Sequence, residues 1–547
     1  MRSGFHFGEK QRWFFGFTAV FAALVGFVFW GTWSTDFAPV MPDSPILYPP
    51  DSFVNWWRDW AQGGRFLPND LVRPVPYFFQ ELNYAVPMCF SGLAVAYFLL
   101  GRGLSRLASY GAGLLMCFCG YWCTLFSAGH GGWFFCMTYI LFPFGLLDRA
   151  IRKGKTMNWL LLGATVGWAA YWQTDLWLLF MVLIGAYFVF RCAGERKFPW
   201  KGMLIAAVSM FVIGGAAFRS AIVNDLAGRD KQIEEGQTIS QKDQKAVDDR
   251  EKRWIFVTNW SLPPAESAEF FIPRLNGDTS CPLTLSLGAR YRTGVKPYTG
   301  ALGRPKDAKQ GNYRQHSLYV GLITCLLAVV GCVSGLAMWG SGLQPDCQRS
   351  AKSDILFFLI AALVCWLCSM GRYCEPVYRV VFSLPFGDYL RAPVKWHHLT
   401  EFCLCVLAGY GIESLRSKVQ GSKFGRLAPW IVGAVVLIGA VDLARVDHLY
   451  CAPVDLREAK RQGCNMQMTF LRKSDFNNPQ IAAMVKAKRI VPLAQPNPET
   501  YMIGVLEPWK RNAAPFPPFG AAAWLSVLSM IGTLGLAGFG LKRALKK

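Results

Sequence analysis

The stretch GDYLRAPVKWHHLTEF, Gly387 to Phe402, sets Arg391, Lys395, His397, His398 and Glu401 at the mouth of an apolar run, LCVLAGYGIESL. Arg and Lys can hold a phosphate or diphosphate leaving group, Arg through a bidentate fork. A carboxylate can take the proton of an alcohol nucleophile. The other candidates are Asp36, Asp43 and Asp51; His130, between glycines in FSAGHGGW; Gln173 and Asp175 in AYWQTDLW; and Glu266, Glu269, Arg274 and Asp278. At a membrane surface these types suit group transfer from a phosphate-linked lipid. Each also has a plainer use: Asp51 as a helix cap, Asp36 as an interfacial charge, His130 as a packed turn residue, Arg391 and Lys395 as anchors snorkelling to lipid phosphates. Within the cluster, His397 and His398 read as interface residues beside Trp396. Glu401, one turn into the helix, reads as a partner of Lys395 or His397.

The elements that must position these groups are membrane helices. Of 547 residues, 53% are apolar, 15% aromatic and only 17% charged, with 21 tryptophans, a composition for a polytopic membrane protein. A bilayer crossing takes about 20 apolar residues. Twelve segments meet or approach that length: Trp13 to Trp33, Tyr84 to Leu100, Ala108 to Phe126, Trp133 to Leu147, Met157 to Trp172, Leu176 to Phe190, Met203 to Phe218, Ser317 to Trp339, Ile355 to Met370, Leu399 to Leu415, Leu427 to Val441 and Ala521 to Leu541. The first has no small-residue cleavage site after it and reads as a retained anchor. With the N-terminus cytoplasmic, every short basic loop falls on one side, from Arg102 and Arg106 through Arg149, Arg152 and Lys153 to the tail KRALKK. That places both termini inside and every candidate group outside.

The long loops share the outer side, so the expected work is done there. In DSFVNWWRDWAQGG, Phe53, Trp56, Trp57 and Trp60 recur at helical spacing, which predicts a short helix lying in the membrane interface or packed on other loops. The sequence divides into a transmembrane domain over 1–446, with large outer loops 34–83 and 219–316, a small α+β extracytoplasmic region over 447–520, and a final helix with a basic tail over 521–547. The positive-inside pattern accounts for much of the net charge of +22, and no nucleic-acid partner is expected. Most of the 17 cysteines lie in apolar helices. Cys451 and Cys464 lie outside them, as a bridge or as free thiols. No internal repeat is evident, which argues against an inverted-repeat transporter.

Five stretches in order carry a family resemblance: PDSPILYPPDSFVNWWRDWAQGGRFLPND, FSAGHGGWFFCMTYILFPFGLLDRAIR, NWSLPPAESAEFFIPRLNGD, HSLYVGLI and SLPFGDYLRAPVKWHHLTEFCLCVLAGYGIESL. Spanning about three quarters of the chain, they resemble the YfhO family of bacterial membrane proteins, which belongs with the polyprenyl-phosphate-sugar-dependent glycosyltransferases of GT-C fold. The resemblance implies a GT-C-like bundle of about twelve helices. It implies a loop aspartate as catalytic base or metal contact, matched best by Asp43, with Asp36 and Asp51 as fallbacks. Arg391 and Lys395 match the family's R-x-P-x-R/K element and are assigned to the lipid phosphate; His130, Glu266 and Asp278 are further substrate contacts. The chain departs from the family in its short C-terminal region, which puts acceptor handling in doubt.

The expected function is therefore transfer of a sugar from a polyprenyl-phosphate donor to a glycan, lipid or protein acceptor at the extracytoplasmic face of the inner membrane. No cofactor is required by the sequence; Mg or Mn is compatible with Asp43, Asp51, Glu266 and His130, though no spacing demands a metal. The rival is a transporter or lipid-handling protein, or a silent scaffold of envelope assembly. A transporter should bury charges near helix centres, and the apolar centres carry almost none.

Overall fold

The computed structural model describes residues 8–33, 37–39, 82–120, 130–172, 174–221, 249–276, 318–337, 345–385, 387–451, 453–497, 500–509 and 521–545. Its helices are α1 (Glu9–Val28), α2 (Leu82–Gly101), α3 (Arg106–Cys117), α4 (Gly131–Ile140), α5 (Phe142–Lys153), α6 (Thr156–Ala169), α7 (Thr174–Glu195), α8 (Trp200–Ser220), α9 (Asp249–Val257), α10 (Leu322–Ala337), α11 (Pro345–Ser369), α12 (Glu375–Ser383), α13 (His397–Gln420), α14 (Ala428–Tyr450), α15 (Arg457–Arg461), α16 (Pro479–Lys486) and α17 (Ala521–Leu545). Among the described residues, seven spans are long and apolar enough to cross a membrane: Gln11–Val28, Tyr84–Gly101, Gly131–Lys153, Asp175–Glu195, Trp200–Ser220, Ala351–Ser369 and Gly425–Leu449. The described parts of the other expected segments also contain helix. By this measure α3, α6 and α10 are too short, α13 carries His397, His398, Glu401 and Glu413, and the apolar part of α17 is only Trp524–Gly540.

Close backbone approach holds the bundle together. A Cβ on Gly411 of α13 would overlap the carbonyl of Leu327 in α10, and one on Gly331 of α10 would overlap that of Leu407. Gly92 of α2 and Gly113 of α3 meet in the same way. In hydrocarbon, where apolar burial gives helices little reason to associate, such small-residue crossings maximise dispersion contact. The centre is filled by aromatic rings from five helices. Phe144 lies 4.6 Å from Phe402, Phe98 lies 5.5 Å from Phe358, and Tyr187 lies 5.8 Å from Phe358.

At the end where α2, α5 and α7 finish, a buried charge network crosses the bundle. Arg102 Nη1 is 2.7 Å from Asp148 Oδ1 and its Nε 2.5 Å from Asp354 Oδ2, with side-chain exposures of 3%, 1% and 0%. Arg152 and Arg191 also reach Asp148, at 2.5 and 3.1 Å, and Tyr410 Oη donates to Asp354 at 2.8 Å. Arg102 and Arg152, expected as loop cations, are thus internal partners of acids on α5 and α11. For Arg102 sequence spacing cannot show this, because its partners lie on two other helices, whereas Arg152 stands one turn from Asp148 on α5.

The three-stranded sheet lies after α14. β3 (Cys464–Arg472), β5 (Thr500–Pro508) and β4 (Ile490–Asn497) form an antiparallel sheet in the order β3-β5-β4, flanked by α15 and α16. A separate pair joins β1 (Phe37–Pro39) to β2 (Pro453–Asp455), Phe37 opposite Asp455. Cys451 and Cys464 are both buried free thiols, so the bridge considered for them is absent.

Candidate functional site

The site lies at the other end, where α4, α7 and α13 begin. Pro393 starts a 3-10 turn, Pro393–Trp396, which runs straight into α13. Ala392, at the head of that turn, has φ +61°, and Trp260, opposite it, has φ +59°; such left-handed backbone is costly for a residue with a Cβ. Ladder-like bonds hold the two segments together: Ala392 N to Val257 O at 3.0 Å and Val394 N to Trp260 O at 3.2 Å. Tyr378 Oη donates to Leu390 O at 2.7 Å, and Leu262 N to Ser369 O at 2.9 Å. A Cβ on Gly371, φ +47°, would overlap Ser261 Oγ and press on Pro393, so only glycine fits where these three segments interlock. The result is a rigid frame around Lys395.

Lys395 is 3% exposed and touches the carboxylate of Asp175 in the first turn of α7. Asp175 also accepts from Leu176 N at 2.8 Å. The ammonium lies 4.8 Å from the centre of the Trp133 ring on α4. Burial pushes the Lys395 amine down, to about 7, and the touching Asp175 carboxylate opposes that by favouring the charged form. Trp133 is shared: His130 stacks near-parallel on it at 5.7 Å, and His398 meets it edge-on at 5.5 Å. His398 Nδ1 is 3.2 Å from Glu401 Oε2, and His397 Nε2 is 3.7 Å from Glu401 Oε1. The His397 ring packs 4.3 Å from Phe270, the last residue of the 3-10 turn Pro264–Phe270.

The structure thus gathers Lys395, Asp175, Trp133, His130, His397, His398 and Glu401. His397, His398 and Glu401 are fully buried, not interfacial, with Phe270 packed against the ring of His397 and Trp133 against that of His398. Arg391 faces elsewhere. It is exposed, its guanidinium 5.6 Å from the Phe256 ring centre and 5.9 Å from that of Trp260. Glu266 is buried in the turn that carries Phe270, and Glu269 accepts from Asn276 N at 2.8 Å. Asp36, Asp43, Asp51 and Asp278 lie outside the described residues. Asp175 and Trp133 carry more of the site than their local sequence suggests; the signal was an acid at the start of an apolar helix and the GHGGW turn. Among the described residues no three His, Cys, Asp or Glu side chains converge as a metal site.

The fold and site define a multi-pass helical membrane protein with a polar cluster buried at one end of its bundle. No protein-family model matches the chain, and no curated protein matches it.

Proposed function

We propose that this chain is an integral membrane glycosyltransferase of GT-C type, YfhO-like, with about twelve crossings, both termini cytoplasmic and its site on the extracytoplasmic face of the inner membrane. The observation that carries the reading is the Lys395–Asp175 pair: a buried cation held against a helix-start carboxylate under an aromatic ring, in a strained frame at the bundle end. Such a cation, exchanged from Asp175 to a polyprenyl phosphate, offsets the charge that develops on the leaving group. The acceptor hydroxyl oxygen attacks the anomeric carbon, the carbon–oxygen bond to phosphate breaks, and the hydroxyl proton passes to Asp43. A single displacement inverts the anomeric centre. Arg391, exposed beside Phe256 and Trp260 and outside the buried cluster, is assigned the donor's phosphate before it reaches Lys395.

The test uses protein in nanodiscs with radiolabelled polyprenyl-phosphate sugars and a panel of glycan, lipid and protein acceptors. Transfer by the wild type, lowered about tenfold or more in Lys395→Met and abolished in Asp43→Asn, supports the reading. Full transfer by Asp43→Asn removes that residue as the base. No transfer from any donor leaves the second reading, a transporter or lipid-handling protein.

A further inference from the structure

Beside the first half of helix α1, from Arg12 to Val20, an apolar groove opens between α1, α3 and α14. Near the start of α1 Glu9 pairs with Arg106 of α3, and Phe17 packs 5.6 Å from Tyr110. Near its finish the ring of Phe27 stacks 4.9 Å from His448 of α14, and His448 Nδ1 lies 2.9 Å from Val28 O. The groove has a volume of about 360 Å³ and is lined among others by Trp13, Phe17, Leu114, Val436 and Leu437. Glycines hollow it: a Cβ on Gly16 would meet nothing within 4 Å, and one on Gly433 only Leu107 Cδ1 at 4.0 Å. Arg12 lines the same groove, one residue from Trp13.

Size and chemistry narrow the occupant. From Arg12 to Val20 the helix rises about 12 Å, and over that length a groove of about 360 Å³ is narrow. That admits one hydrocarbon chain and excludes a helix, which is about 10–12 Å wide. Helices α1 and α14 both contain candidate membrane spans, so the groove opens toward lipid. A guanidinium and an indole at one end of an apolar channel match a phosphate headgroup above an acyl chain. We propose that this groove is a binding site for one acyl chain of an anionic phospholipid whose phosphate rests on Arg12.

Native mass spectrometry of the full-length protein, released from detergent after titration with phosphatidylglycerol or phosphatidylcholine, tests this. The wild type should retain one phosphatidylglycerol about tenfold more tightly than phosphatidylcholine. The double variant Gly16→Leu/Gly433→Leu, whose new side chains enter the groove, should lose the retained lipid. Equal retention by that variant would mean bulk annular lipid only and would overturn the site. If the filled variant fails to fold, Arg12→Gln decides: its preference for phosphatidylglycerol should vanish, and an unchanged preference overturns the proposal. Preferential retention of undecaprenyl phosphate at equal concentration, or a second copy of the chain in place of lipid, overturns it too.

Discussion

Lys395, in the turn before α13, touches Asp175 at the start of α7, 220 residues away in sequence. The contact is asymmetric: the lysine side chain is 4% exposed and the aspartate 16%. Removing Asp175 strands a buried ammonium, whereas removing Lys395 leaves a carboxylate that still accepts from Leu176 N and sees solvent. Asp175→Ala should therefore cost about 3–5 kcal/mol and Lys395→Met clearly less, with the double variant well short of the sum. Thermal unfolding in one detergent measures all three; additive effects would mean that the pair is not coupled.

The charge network at the opposite end should rank its own variants by burial. Arg102→Met leaves both Asp148 and Asp354 short of a partner and should cost about 3–5 kcal/mol. Arg152 is 35% exposed and shares Asp148 with two other arginines, so Arg152→Met should cost at most about 1 kcal/mol. Equal melting shifts would contradict the geometry.

A glycine contrast checks the packing. Gly411→Val drives a side chain into the backbone of α10 and should destabilise by about 1–3 kcal/mol or prevent folding. Gly16→Ala, facing open space, should stay within about 0.5 kcal/mol of the parent. Comparing yields of monodisperse protein and melting temperatures settles it.

The two cysteines that flank the start of the small sheet region should behave as separate thiols. Both Cys451 and Cys464 are buried, at 3% and 5% exposure. Unfolded without reductant, both should alkylate fully with maleimide, and both should react slowly in the folded state. A Cys451–Cys464 cross-linked peptide in non-reducing digests would show otherwise.

Much of the helical layout was legible because hydrophobic runs are local: α7, α8 and α13 lie within about five residues of the apolar segments that announce them, while α14 runs on past Val441 to Tyr450. Charges were harder. Arg102 looked like an inner-loop cation because the sequence shows its neighbours, Gly101 and Gly103, and not Asp148 and Asp354, which packing brings to it. The histidines misled for a similar reason. Beside Trp396 they look interfacial, yet Phe270 and Trp133, from distant segments, enclose them. Lys395 stood out correctly as a charge at a helix mouth, but its partner Asp175 was only one of several outer acids until the helices were assembled. The strand pair β1–β2 left no signal, since three residues on each side make no pattern.

That small ladder has a consequence for biogenesis. Phe37 follows the first helix, and its partner Asp455 follows α14, so the pairing closes a loop around most of the chain. Residues 37–39 emerge early in synthesis and cannot find their partner strand until α14 has been made. Ring closure over so long a segment costs entropy that only an assembled bundle offsets, which makes this contact a late event in maturation. Chains stalled before β2 should therefore expose the 37–39 segment to protease, and completed chains should protect it.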